Sequence, residues 1–156
     1  MDGDSVGDDE VLYRRVGREW ASFRDGAWRL TSEAFNDRQQ KPSVDRAILR
    51  AGPQETQRLV SDGICTLVGG EVRGISGVIP VNANVGPDQA IQFHNVDVIH
   101  RPVTVPNSDG TPENQAHAQV ETSPTFANKS RWNKLKDALC RLAQGHGWLI
   151  EPDSIG

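Results

Sequence analysis

Ala116-His117-Ala118-Gln119-Val120-Glu121-Thr122, followed further along by Trp132, Leu135, Leu139 and Leu142, decides how this chain folds. In the first stretch apolar residues hold the even positions and polar ones the odd, the period of a strand with one buried face. In the second, apolar residues recur at i, i+3, i+7 and i+10, the period of an amphipathic helix, with Asn128 or Ser130 placed to cap it and Gly145 to stop it. A half-wet strand leading into a one-striped helix predicts a helix packed on a small, mostly antiparallel sheet, which is an α+β fold.

Upstream, residues 90–103 read as the partner strand, but their phase changes. Ile91 and Phe93 are apolar at odd positions, Val96 and Val98 at even ones, so a single buried face requires an inserted residue near His94-Asn95. The connection from Pro102 to Gln115 holds the turn sequence Asn107-Ser108-Asp109-Gly110. Nearer the start, Val11 to Val16 reads as a strand, and Asp25-Gly26 marks a hairpin whose arms carry Trp20 and Trp28 as a cross-strand stacking pair. Ser32 to Arg38 fits one helical turn, and Pro42 breaks whatever precedes it. Ser43 is then placed to cap a helix over Val44 to Arg50, and Pro53 to start another that ends near Ser61. Between Gly63 and Val81, glycines punctuate an apolar run of strand, turn, strand composition, and Trp148 to Ile150 closes the chain as a short docking strand.

With 156 residues the chain is the size of one domain and buries roughly two-thirds of its unfolded surface. The net charge is -4, and residues 1–10 contribute five acids with no base. These ten residues therefore read as a disordered acidic tail ahead of a single domain over 11–156, and the body beyond them is close to neutral. A near-neutral body argues against strong nonspecific binding to nucleic acid, whose affinity comes from neutralised phosphates. No apolar run is long enough to span a membrane and no secretion signal opens the chain, so the expected location is the cytoplasm. Cys65 and Cys140 lack a Cys-x-x-Cys partner and read as reduced core residues.

The residues available for chemistry are few. His94, His100 and His117 lie near Asp97, Asp109 and Glu121, but the strand phase puts His100 on the buried face and His117 on the opposite one, so they cannot share a metal ion. No metal and no cofactor are expected. On the wet face His117 joins Asp97 and Glu121, and a carboxylate beside a histidine is the arrangement a general base needs. Arg14, Arg38 and Arg46 stand out in an arginine-rich first third as candidate ligand-binding forks for phosphate or carboxylate. Arg131, Lys134 and Lys136 on the C-terminal helix form a candidate partner-binding face. There is no Gly-x-Ser-x-Gly, P-loop or dinucleotide fingerprint.

Leu12-Tyr13-Arg14-Arg15, Ser32-Glu33-Ala34-Phe35, Ser43-Val44 and Ala116-His117-Ala118 occur in an order that resembles a group of short uncharacterised bacterial proteins with a Tyr-Arg-Arg opening, Ser-x-x-Phe, Ser-Val and Ala-His-Ala. This chain departs from them at Asn114-Gln115, where the group has proline before Ala-His-Ala, and in a longer segment from Val81 to Gln89. The resemblance implies a bacterial source and no particular activity. A fainter similarity is to toxin domains that open with Tyr-Arg and hold NAD with arginine and serine, although their glycine-rich Arg-Trp-Asn block is missing here.

These readings lead to a first expectation of a non-catalytic binding or accessory module that acts with a larger protein partner through the acidic tail and the basic helix face. The alternative is an enzyme on a nucleotide or phosphoester, extending to NAD-dependent ADP-ribosyl transfer, with His117 and Asp97 or Glu121 as acid and base. A third is a structural domain whose polar segments only close turns.

Overall fold

Leu12, Arg14 and Val16 alternate inward along Val11–Val16 (β1), and this strand sits near the middle of the sheet because both its edges find partners. The computed structural model describes residues 2–81, 90–105 and 113–152. Six strands make the main sheet in the order β6-β7-β4-β1-β5-β8: Asn95–His100 (β6), His117–Ser123 (β7), Ser43–Arg46 (β4), β1, Gly63–Val68 (β5) and Trp148–Ile150 (β8). All these pairings are antiparallel. Ala21–Arg24 (β2) and Ala27–Leu30 (β3) form a separate hairpin. Its turn residues Asp25 and Gly26 both have positive φ, 53° and 79°, the two-residue turn whose twist matches that of a hairpin.

Lys129–His146 (α2) covers the inner face of the sheet with Trp132, Leu135, Leu139 and Ala143, and the short helix Gly69–Arg73 (α1) closes one end with Val72. Phe35, on a 3-10 turn at Ser32–Phe35, is fully buried beneath α2. Asn128 caps α2 by accepting the Arg131 N–H. The helix continues through Gly145 to His146 and stops at Gly147, whose φ of 77° suits a residue without a Cβ. The α+β expectation is thus met, with the helix packed on an antiparallel sheet.

Several local expectations are not. Ser43 starts a strand and caps no helix, because β1 and β7 offer a ladder on both sides, and only a 3-10 turn at Ala47–Leu49 follows. The helix expected from Pro53 is a single 3-10 turn, Pro53–Thr56. After β5 the chain enters α1, and the second strand of that region shrinks to one bridge, Pro80 to Phe93. No bulge is needed at His94-Asn95, since β6 begins at Asn95 and pairs without interruption from Asn95–Ser123 to His100–Ala118. The tryptophan pair is also different: Phe23 stands opposite Trp28, ring centres 5.3 Å apart, while Trp20 lies outside the hairpin on a 3-10 turn. The turn expected at 107–110, and residues 82–89 of the longer segment, lie outside the described residues.

The acidic segment does not behave as a free arm. Residues 3–6 run beside β6, with Gly3 and Val6 donating N–H bonds to His100 and Val98, His100 donating to Asp4, and Val6 buried. An unpaired sheet edge offers backbone groups that a short extended segment can satisfy, and this outweighs the expected repulsion among its acids, which pair with Arg46, Arg73 and Arg101. Among the described residues no helix is long and apolar enough to cross a membrane.

Candidate functional site

Antiparallel pairing puts directly opposite residues on the same face, so the register settles which polar groups meet. Asp97 stands opposite Glu121, and His117 opposite Asp45. The expected grouping of His117 with Asp97 and Glu121 is therefore not formed. Asp97 accepts from Ser5 Oγ at 2.6 Å and Arg73 Nε at 2.8 Å, and Glu121 accepts a two-pronged contact from Arg101. Burial alone would raise the Asp97 carboxyl, but the bonds from Ser5, Arg73 and the Val98 N–H outweigh it and hold it below the usual range. Both carboxylates are committed to arginines that fasten the N-terminal segment.

His117 instead meets a hydroxyl and a carbonyl. Its Nδ1 is 2.7 Å from the Arg101 carbonyl oxygen and its Nε2 is 2.9 Å from Ser43 Oγ. A carbonyl can only accept, so Nδ1 carries the proton and Nε2 presents its lone pair to the Ser43 hydroxyl.

The expected arginine cluster also comes apart. Arg14 is buried and spreads its fork over three main-chain carbonyls: Ala34 from Nε at 2.9 Å, Ser43 from Nη1 at 2.8 Å and Asn36 from Nη2 at 3.2 Å. Burial pushes its pKa down to about 10, and burial likewise pushes the neighbouring Cys65 thiol up to about 12. Arg46 grips Glu10 through Nε and Nη2 at 2.7 and 2.9 Å. Arg38 is exposed and touches neither. Arg14 and Arg46 are thus internal fasteners, which sequence could not show because the carbonyls and the acid they hold come from distant segments.

On α2 the expected basic face is reduced to Lys134. Arg131 donates to the Pro80 carbonyl at 2.7 Å, and Lys136 is 4% exposed with its ammonium 5.5 Å from the Trp132 ring. Lys136 follows Trp132 by four positions, which puts both on one side of the helix, and that spacing was the available signal. Among the described residues no group of three or more His, Cys, Asp or Glu could hold a metal ion.

A different feature stands out on the opposite side of β1. Residues 47–62 join β4 to β5, two strands that flank β1, and so pass over its outer face, touching it through their 3-10 turns. Two buried carboxylates fasten this segment from below. Asp45 accepts from Arg50, Thr56 Oγ1 and Asn114 Nδ2, the last two at 2.7 and 2.8 Å. Asp62, 1% exposed, accepts the Arg58 and Leu59 N–H groups at 3.0 and 2.9 Å and pairs with Arg15. With its underside polar and satisfied, the segment turns Ile48, Leu49, Leu59 and Val60 to solvent, with Ile48 74% and Val60 86% exposed. Ile48 and Ala47 also wall an open cleft with Val11 and the acidic run Asp8 to Glu10. Leu59-Val60 beside Ile48-Leu49 in an otherwise polar stretch was the visible signal, but without the fold it read as two helix faces.

Compared with known proteins, the chain matches no family model, no curated protein and no solved structure.

Proposed function

We propose that this protein is a binding module that docks a protein partner on the segment 47–62. The observation that carries the reading is the display of Ile48, Leu49, Leu59 and Val60 on one irregular segment whose polar underside is fastened by Asp45 and Asp62. Single exposed aliphatic side chains are ordinary, but four on one segment expose apolar area that a partner would remove from water at about 25 cal/mol per Å². Irregular segments longer than about 12–15 residues inside a compact domain usually carry function. A fastened segment also loses less conformational freedom on binding than a floppy one. The basic helix face and the acidic segment, the two surfaces expected from sequence, serve this reading poorly because most of their charges are already paired within the chain.

The test replaces Ile48, Leu59 and Val60 together by Asp and compares the variant with wild type and with Lys134→Glu as bait in the native host. The triple variant is expected to melt within about 2 °C of wild type, because these side chains stay mostly in water in the folded chain. It should lose the partner that wild type and Lys134→Glu retain. Retention by the triple variant refutes the assignment, and loss by Lys134→Glu alone would move the surface to α2.

A further inference from the structure

We infer that Ser43 and His117 form a nucleophile and base for acyl transfer from small activated carboxylic esters. The distances are those of a serine activated by histidine: 2.9 Å from Ser43 Oγ to Nε2, and 2.7 Å from Nδ1 to the Arg101 carbonyl. Nucleophile, base and orienting acceptor lie in one chain of hydrogen bonds. The carbonyl fixes the tautomer, so the lone pair of Nε2 faces the hydroxyl with no competing donor.

Three neighbouring strands deliver these groups. Ser43 opens β4, His117 opens β7, and Arg101 follows β6, with its N–H donating to the His117 carbonyl at 2.9 Å. Both reacting residues are half-buried on the outer face of the sheet. Gln119 stands opposite Ser43 on that face and Ile99 opposite Gln119. Opposite residues have Cβ atoms about 4.5–5.5 Å apart, within reach of a carboxamide. The Gln119 carboxamide makes no hydrogen bond among the described residues, which leaves its N–H₂ to donate to an oxyanion formed at Ser43. Ile99 supplies an apolar wall. An open sheet face gives little room to hold a long substrate, which limits it to a short acyl group with a good leaving group.

In the first step Oγ bonds to the acyl carbon while its proton passes to Nε2. The bond from that carbon to the leaving oxygen then breaks, and Nε2 returns the proton to the departing alcohol. Water repeats the sequence against the acyl-serine, releasing the carboxylic acid and restoring Ser43. Ester and water go in, acid and alcohol come out, and no other reactant is consumed.

The experiment treats the full chain with a fluorophosphonate probe and, separately, with p-nitrophenyl acetate. Labelling should map by mass spectrometry to Ser43 and vanish in Ser43→Ala, which removes only an oxygen bonded to His117. His117→Gln should slow labelling about 100-fold or more, the usual contribution of a general base. Where His117→Gln does not fold, the wild-type labelling site still decides, since an unactivated serine does not take the probe. Absence of label on Ser43, or His117→Gln labelling as fast as wild type, would each overturn the inference.

Discussion

Replacing Arg14 by Lys separates a structural fastener from a ligand-binding arginine. The guanidinium donates three bonds, to the carbonyls of Ala34, Ser43 and Asn36 at 2.9, 2.8 and 3.2 Å. One ammonium on a different stem cannot reach carbonyls spread over the 3-10 turn and β4, so two bonds are lost. A bond from a charged donor contributes about 1.5–3 kcal/mol net. Asn36 is exposed and water takes over its carbonyl, so one bond counts in full and one in part, giving a loss of about 3 kcal/mol. The substitution keeps the positive charge, so the burial that pushes the arginine down to about 10 is not relieved and offsets nothing. For a domain of this size each kcal/mol lowers Tm by about 2–4 °C, which predicts a fall of about 6–12 °C. Thermal and urea unfolding followed by tryptophan fluorescence measure it. A Tm within about 2 °C of wild type would show that the fork is dispensable and return Arg14 to the candidates for ligand binding.

Asp97→Asn should cost about 1–2 kcal/mol by weakening the contacts to Arg73 and Ser5. Because the folded carboxyl lies below its unfolded value, the wild-type contribution is complete above about pH 3.9 and is lost as pH falls through the lower folded value, so acid unfolding of the variant should be shallower there. At His100 burial, and then the nearby Arg46, push the pKa down. The unfolded chain therefore takes up that proton first, stability should decline as pH falls below about 6.5, and His100→Leu should flatten this slope in urea titrations between pH 7 and 5. In Gly69→Ala a new Cβ would lie 2.4 Å from the Gly7 carbonyl oxygen, so the N-terminal segment must shift. Amide exchange at Gly3, Val6 and His100 should speed up at least tenfold; unchanged protection would mean that the segment is held without this close approach.

What could be read without coordinates was local and periodic. The alternation in Ala116 to Thr122 and the spacing of Trp132, Leu135 and Leu139 name a strand and a helix because side chains on each repeat every two or about 3.6 residues. Asp25-Gly26 names its turn because few residues tolerate positive φ. Ser43-Val44-Asp45-Arg46 shows the limit of such reading. A serine after a proline suits a helix start, yet the same four residues alternate, and only β1 and β7 on either side decide for a strand. The polar groups were harder still. Residues 117, 121 and 97 share a face as the alternation implies, but which of them meet depends on register, and the register sends His117 to Ser43 and Asp97 to Arg73. The acidic segment likewise looks mobile until an unpaired edge of β6 is available to bond it. Sequence thus determined the long periodic elements, β7 and α2, and their buried faces, which depend on neighbours along the chain. Tertiary structure alone decided the partners of each charge and the display of Ile48 and Val60, since those depend on residues far apart in sequence.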